Sequence, residues 1–376
     1  MHAPSLRPAL FAAVLAAAVI GCGDDASMTP SDEGGGGTDG GGSGEGGSTD
    51  GGGGSTDGGS GGGGGAADAD FGSLDPARFS ILETVEDFSL VDCTLADGTA
   101  TTCHRVVVQN VPAEWGPGCP ATVDDVGGVG FYDPDGTARL YALDRALWDQ
   151  MEADGFDIVD ADGTVHVTVP TGPPGGGGGP GGGGPGGGGP PDMGGGDGTS
   201  SCLDAELVEE LAITWLIPAE PRLADAPTAI ELPTMEYSGL SLDGLPFAPP
   251  PPATVMGTTA ALPALDPCGG HPQPDGPFHW HLTPHEANHV LDAAGIRDDV
   301  RCTAIPQSSS TIIGYAADGF AILGALEPDG TEATGLDGCR GHDLGDGYHY
   351  HVSSTAAPNN LTCLSGVPAN GFVGYQ

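Results

Sequence analysis

The 376-residue sequence contains no lysine, and its nine arginines stand against 52 acidic residues, for a formal net charge of −43. Without lysine, the chain can use neither a lysine Schiff base nor the lysine of a phosphate-binding P-loop. A chain this acidic repels nucleic acid, so we expect no nucleic-acid partner. Beyond the N-terminus, no apolar run is long enough to cross a membrane as a helix. These absences leave the histidines and cysteines as the residues most able to carry chemistry.

The N-terminus has the features of an export signal. Arg7 precedes an apolar run that is of signal-peptide length and too short to span a bilayer. The run ends in Val19-Ile20-Gly21-Cys22, which resembles the lipobox of bacterial lipoproteins. We therefore expect removal of residues 1–21, lipidation of Cys22, and a membrane as the partner of that lipid. Gly23, rather than aspartate, follows the cysteine and favours the outer membrane or cell surface. An ordinary signal peptide is the alternative.

Two low-complexity tracts set the domain boundaries. Residues 22–70 have almost no apolar side chains, so they cannot build a core and predict a disordered tether. Residues 173–196 are rich in glycine and proline without Gly-X-Y periodicity, which excludes collagen and predicts a disordered loop. We expect one domain over residues 71–376, with this loop as an insertion. Two separate domains are the alternative.

The folded parts predict a mainly β domain, a disulfide-stapled sandwich or barrel-like structure with a few short helices. Short β-branched, alternating or apolar runs predict strands. These runs cover residues 105–109, 164–169, 211–217 and 310–315. Asp-Gly pairs, such as Asp243-Gly244 and Asp318-Gly319, predict hairpin turns rather than calcium loops, because none has the spacing of a calcium hand.

Two segments predict helices. Residues Leu140 to Ala153 have an amphipathic pattern. The segment from Thr283 to Ala294 has the pattern of a capping box, in which Thr283 caps the helix and Glu286 reaches back to the cap. Gly295 is expected to end this second helix.

A duplicated motif carries the candidate chemistry. The stretch from Leu265 to His281 aligns with the stretch from Leu336 to His351, with one gap at Pro277. Each copy ends in a His-x-His pair. A cysteine, a third histidine and an aspartate precede that pair. In a strand, residues two apart lie on one face, so each pair projects two imidazoles together. The sequence suggests two similar half-sites that face each other, and leaves open whether they form one site or two.

We expect these histidines to bind a transition metal, copper or zinc. Two imidazoles on one face, a third imidazole and an open position are the ligand set of a catalytic type of metal site. An aspartate in each copy is expected to orient an imidazole. The predicted ligands are His271, His279, His281, His342, His349 and His351, and the predicted orienting residues are Asp275 and Asp346. Structural histidines are the alternative.

Eight cysteines remain after Cys22, an even number, as a disulfide framework in an exported protein requires. In each copy of the motif one cysteine precedes the His-x-His pair and another follows it. A further pair would close a hairpin, and the last would bridge the glycine-proline tract. The predicted disulfides are Cys268–Cys302, Cys339–Cys363, Cys93–Cys103 and Cys119–Cys202.

Several of these motifs resemble the YHYH family. Gly347-Tyr348-His349-Tyr350-His351 resembles the tetrapeptide that names it, and the stretch from Cys268 to Gln273 is similar to its upstream motif. The stretches from Gly239 to Phe247 and from Gly314 to Phe320 are similar to its hairpins. The resemblance covers about 205–376 and implies an exported, mostly β domain without a settled activity. Residues 119–200 do not match the family, so the resemblance implies an insertion at about 119–200 that includes the loop over residues 173–196. In the first copy Phe278 and Trp280 replace the usual tyrosines, so any role of the tyrosine hydroxyls is expected to be lost there.

Two other functions compete with a metal-binding module. His285-Glu286-Ala287-Asn288-His289 fits the H-E-x-x-H pattern of zinc peptidases, in which Glu286 would be the general base. Against it, the motif directly follows Pro284, where such helices have a longer apolar lead, and no continuation supplies a third ligand. The other alternative is a surface adhesion or scaffold module with structural histidines. Outside the peptidase hypothesis, the sequence assigns no catalytic residue. It therefore favours a protein that is not an enzyme.

Overall fold

The fold was analysed in a computed structural model. It describes residues 74–79, 85–169, 200–208, 211–230, 235, 237–249, 261–273, 276–345, 347–355 and 357–375. All of them belong to one compact unit, residues 63–376. The expected signal peptide, the lipidation site Cys22, the tether over residues 22–70 and the loop over residues 173–196 lie outside the described residues. Within the described ranges, no helix has the length and apolarity needed to cross a membrane.

The described residues are mainly β, as the sequence predicted. The strands are β1 (Val85–Thr94), β2 (Ala100–Gln109), β3 (Val129–Tyr132), β4 (Arg139–Ala142), β5 (Val167–Thr168), β6 (Ser201–Leu203), β7 (Ala212–Pro218), β8 (Leu223–Ala229), β9 (Gly239–Ser241), β10 (Pro246–Phe247), β11 (Ala261–Pro263), β12 (Gly270–Pro272), β13 (Phe278–Trp280), β14 (Ile312–Ala316), β15 (Ala321–Leu323), β16 (Gly341–His342), β17 (His349–His351), β18 (Cys363–Gly366) and β19 (Val373–Tyr375). The helices are α1 (Arg145–Ala153) and α2 (Ala287–Ala293), with 3₁₀ turns at Pro76–Arg78 and Pro284–Glu286.

An eight-stranded sheet is the centre of the fold, with the strand order β12-β13-β10-β9-β14-β15-β17-β16. A four-stranded sheet, β1-β2-β7-β19, packs against one of its faces. Trp215 of the smaller sheet shares a core cluster with Leu240 and Tyr315 of the larger one. The opposite face carries a second cluster, which includes Trp280 and Tyr350. Because both faces of the large sheet are covered, its strands alternate between two cores, and the pair of sheets forms a sandwich.

The large sheet is built from two similar halves. Each half has a central hairpin, β9-β10 or β14-β15, and an edge hairpin, β12-β13 or β16-β17, whose second strand pairs in parallel with the central one. The central hairpins share Gly-x-x-x-Asp-Gly, beginning at Gly239 and at Gly314. A Cβ on Gly239 would lie 2.3 Å from the carbonyl oxygen of Tyr315, and one on Gly314 would lie 2.5 Å from that of Leu240. Glycine is therefore needed where the two halves meet, and the duplication extends beyond the histidine motif.

The four disulfides have the pairing that the sequence predicted: Cys93–Cys103, Cys119–Cys202, Cys268–Cys302 and Cys339–Cys363. The first joins β1 to β2, and the second links the two sides of the segment 170–199. The last two hold the turns that precede the edge hairpins. Each edge hairpin is thus fixed covalently at its entrance, which limits the movement of the histidines that follow.

Both predicted helices are shorter than expected. The first begins at Arg145, because Asp144 caps it by accepting hydrogen bonds from the amides of Ala146 and Leu147. The preceding residues, Arg139–Ala142, pair instead with β3 as a strand. The spacing of apolar residues in this short segment was compatible with a helix and with a strand, and pairing with β3 made it a strand.

The capping box predicted for the second helix is wrong. The Thr283 hydroxyl donates to the side chain of Asn360, and Glu286 accepts a hydrogen bond from the amide of Ala325, so neither caps the helix. The first turn is a 3₁₀ turn, and the α-helix starts at Ala287. Gly295 ends it with φ of 72°, as predicted. Tertiary partners took the two side chains that the local pattern assigned to the cap.

Candidate metal centres

Three imidazoles meet on the first edge hairpin. His271 on β12 is the cross-strand partner of His279 on β13, and His281 follows two residues later. The Nε2 atom of His281 lies 3.1 Å from that of His279 and 3.2 Å from that of His271. We call these three residues the first site. A cross-strand pair and a residue two positions along the strand are the neighbours that one face of a hairpin brings together.

Three imidazoles and a carboxylate meet on the other edge hairpin. His342 on β16 is the cross-strand partner of His349 on β17, with 3.1 Å between their Nε2 atoms. The Glu327 carboxylate lies 3.1 Å from Nε2 of His342, 3.8 Å from that of His349 and 3.6 Å from that of His351. These four residues, all buried, are the second site. The motif copies therefore form two separate sites at opposite edges of the sheet, and the expectation of half-sites that face each other is wrong.

Backbone carbonyls fix the tautomer of most of these imidazoles. A carbonyl oxygen only accepts, so an Nδ1 atom beside it carries the proton and Nε2 keeps its lone pair. The Nδ1 partners are the carbonyl oxygens of Pro277 for His279 (3.1 Å), Pro249 for His281 (2.9 Å), Thr334 for His342 (2.8 Å), Gly347 for His349 (2.9 Å) and Gly324 for His351 (2.8 Å). The contacts of His279 with His281 and of His342 with His349 thus each join two acceptors, which cannot hydrogen-bond to each other.

A cation would resolve these acceptor–acceptor contacts. Zinc binds imidazole nitrogen at about 2.0–2.1 Å, so two tetrahedral ligands lie about 3.3 Å apart. The observed separations of 3.1–3.2 Å are close to that value. Burial also keeps three of the imidazoles neutral, as ligands must be: it lowers the pKa of His279 to about 4, of His281 to about 3 and of His351 to about 4. The geometry and protonation of the histidines therefore suit metal ligation.

Two aspartate carboxylates hold the strands that carry the histidines. Asp266 accepts hydrogen bonds from the amides of Cys268 and Gly270, and so shapes the turn before the first edge hairpin. Asp337 does the same for the amides of Cys339 and Gly341 before the second. The same Asp-to-amide pattern in both copies gives each third histidine its position beside the pair.

The aromatic residue between each pair of histidines points to the opposite face and is held there by the aspartate of the central hairpin. Tyr350 donates its hydroxyl to Asp318 at 2.6 Å, and Trp280 donates its indole N–H to Asp243 at 3.1 Å. The expectation that the tyrosine hydroxyl's role is lost in the first copy is therefore wrong at Trp280, because the indole N–H replaces it. At Phe278 the expectation is confirmed, because phenylalanine has no polar group to replace the hydroxyl.

Sequence reasoning missed Glu327. The turn over Glu327 to Thr331 places it, through a hydrogen bond from the Glu327 amide to the Thr331 carbonyl and one from the Gly330 amide to the Glu327 carbonyl. Asp329-Gly330, another Asp-Gly pair of the sequence, was the signal for this turn, but it did not show which histidine the preceding carboxylate would reach. The glutamate lies outside the aligned copies of the motif, so the duplication could not reveal it.

The structure does not assemble a zinc-peptidase site from the H-E-x-x-H motif. His285 lies in the 3₁₀ turn before α2, so it and His289 do not share a face of one helix. Glu286 is fully buried and accepts hydrogen bonds from His289 Nδ1 at 2.6 Å and from the Ala325 amide at 2.9 Å. Among the described residues, neither histidine belongs to a group that could hold a metal ion. Glu286 instead anchors the backbone that leads to Glu327.

The predicted orienting residues Asp275 and Asp346 lie outside the described residues. In the second site, carbonyl oxygens already accept from the Nδ1 atoms of all three histidines, which is the role expected of Asp346. Backbone carbonyls therefore orient the histidines of the second site, and the orienting role of Asp275 and Asp346 stays a prediction.

Fold and sites together define a disulfide-stapled β-sandwich domain with a histidine cluster at each end of its main sheet. Residues 214–331 match the family model described as YHYH protein, which supports the resemblance of this segment to the YHYH family. The matched segment contains the whole first site and Glu327, and it ends before the other three residues of the second site. No curated protein and no solved structure matches the chain.

Proposed function

We propose that this domain binds two transition-metal ions, copper or zinc, one at each site. The observation that carries the proposal is the convergence of imidazole lone pairs: the Nδ1 protons of His279 and His281 are committed to carbonyl oxygens, and their Nε2 atoms lie 3.1 Å apart. Buried acceptors without a donor are unfavourable, and a shared cation removes that penalty. In the second site, Nε2 of His351 and Oε1 of Glu327 are buried without a hydrogen-bond partner, which fits the same reading.

The ligand sets suit copper and zinc but do not choose between them. Imidazole is a good ligand for both metals, and a carboxylate beside three imidazoles completes a four-coordinate site. The cysteines do not compete as ligands, since the eight that the structure describes are paired in disulfides. The sites are therefore built from imidazole and carboxylate, in a protein whose disulfides are consistent with export.

Metal content of the full-length chain, exported so that its disulfides form, tests the proposal. The protein is stripped with a chelator, reloaded with zinc or copper, desalted and measured by mass spectrometry. We expect about two ions per chain, because each cluster supplies its own three imidazoles. Retention of no stoichiometric ion of either metal would overturn the proposal and leave the histidines as structural residues.

We also propose that the domain is held to a membrane through lipidated Cys22, as the lipobox-like sequence indicates. Anchoring by lipid needs no membrane-spanning helix, and the acidic chain would itself be repelled by anionic lipid. A Cys22→Ser variant is expected to move from the detergent phase to the aqueous phase on phase partitioning. Equal partitioning of the variant and the wild-type chain would count against the anchor.

A further inference from the structure

We infer that the two sites have different tasks: the first keeps a coordination position for an exogenous small anion, whereas the second is filled by the chain. The inference rests on the proposed metal binding and deepens it. Zinc sites with four protein ligands are structural, and sites with three protein ligands leave a position for water or substrate. The ligand class we assign to the first site is a small anionic donor, such as hydroxide or a simple inorganic anion.

The difference starts with the ligands that the structure brings together. In the second site the Glu327 carboxylate reaches all three imidazoles within 3.8 Å. In the first site, the part of the chain that the structure describes contributes His271, His279 and His281 and no carboxylate to the cluster. The two copies supply the same three imidazoles, so the fourth ligand is what distinguishes them.

The two halves of the sheet explain why the carboxylate occurs once. The carbonyl of Pro249 accepts from His281 Nδ1 in one half, and the carbonyl of Gly324 accepts from His351 Nδ1 in the other, so the two positions are equivalent. Three residues further along the chain, the second half has Glu327 and the first has Pro252. Proline has no side-chain atom that can bind a metal. At the same distance along the sequence from this carbonyl, the first half therefore has no side chain that could replace Glu327 as a ligand.

Charge and access point the same way. A divalent ion with three neutral imidazoles keeps its full charge, whereas Glu327 neutralises part of it in the second site. An uncompensated ion attracts an anion and lowers the pKa of bound water. His271 is partly exposed, whereas all four residues of the second site are buried. The first site thus combines the greater positive charge with the more accessible ligand.

Cobalt(II), whose visible spectrum responds to coordination, tests the inference with azide as the probe anion. Two full-length variants isolate the sites: His351→Ala leaves the first site intact, and His281→Ala leaves the second. We expect azide to shift the visible bands of the cobalt-loaded His351→Ala protein in a saturable way and to leave those of the His281→Ala protein unchanged. Removing the carboxylate as well, in His281→Ala/Glu327→Ala, is expected to create an azide response at the second site.

The outcomes separate this inference from the proposed function. Cobalt bound at the first site with a spectrum insensitive to azide would overturn the open position while leaving metal binding intact. An equal azide response at both sites would overturn the difference between them. A protein that takes up no cobalt in any variant would overturn the proposed function itself, and the inference with it.

Discussion

Replacing His351 with alanine is expected to empty the second site and leave the first site loaded. His351 is fully buried, its Nδ1 atom is held by the Gly324 carbonyl, and its Nε2 atom has no hydrogen-bond partner. Loss of a residue that only orients a ligand weakens metal binding by about 10–100-fold. Removing the ligand itself should therefore weaken the second site by more than about 100-fold. Metal analysis should show about one ion per chain instead of about two, and competition with a coloured chelator measures the affinity.

Two further variants make this result specific. His281→Ala should remove the ion of the first site and retain that of the second, since the sites lie at opposite edges of the sheet. His166→Ala is the matched control: His166 also contacts a carbonyl oxygen and the Asp160 carboxylate, but no second imidazole. It should retain both ions. Loss of an ion from the His166→Ala protein, or retention of both by the His351→Ala protein, would contradict the assignment of ligands.

The sequence predicted most of the fold because its signals were local or duplicated. Alternating and β-branched runs predicted the strands, and the order of the cysteines predicted all four disulfides. The boundary errors came from partners far away in sequence. Pairing with β3 made Arg139–Ala142 a strand, and Asn360 and Ala325 took the side chains expected to cap α2. No pattern within a short window contains such partners.

The histidines of the two candidate sites could be identified from the sequence because the repeat brings three of them into register in each copy. Their separation into two sites could not, because it depends on the strand order of the large sheet. In that order the two central hairpins lie between the two edge hairpins. Glu327 was hidden for a related reason, since it reaches its site from a turn outside the repeated motif. The repeat thus showed what the two copies share, and the fold showed how they differ.

The replacement of tyrosine by tryptophan shows that the scaffold keeps a hydrogen bond rather than a residue type. Trp280 and Tyr350 have different rings, yet each donates to the buried aspartate of its own central hairpin, Asp243 or Asp318. A buried carboxylate needs a donor, and either ring can supply one at that position. The tetrapeptide that names the family therefore contributes twice. Its histidines form the site, and its second aromatic residue fixes the strand from the other face.

Removing the metal is expected to lower the stability of the domain substantially. Without an ion, the second site places three imidazole nitrogens and the Glu327 carboxylate within 4.8 Å of one another in a buried setting. An ion that binds only the folded state at a free concentration 1,000 times its Kd stabilises that state by about 4 kcal/mol. Chelation should therefore shift the urea midpoint of the disulfide-intact protein downwards, as followed by circular dichroism.

A control is needed to show that the chelator lowers the urea midpoint by removing the ions and not by acting on the protein itself. The double variant His281→Ala/His351→Ala lacks one ligand in each site, so its unfolding midpoint should not change when the chelator is added. It should also resemble that of the stripped wild-type chain more than that of the loaded one. The single variants should lie between, with the larger loss for His351→Ala, since the second site buries a carboxylate that loses its counter-ion with the metal. If the loaded and stripped wild-type proteins unfolded at the same urea concentration, the ions would not be part of the folded structure. The disulfides and the two packed sheets would then hold the histidine clusters in place without them.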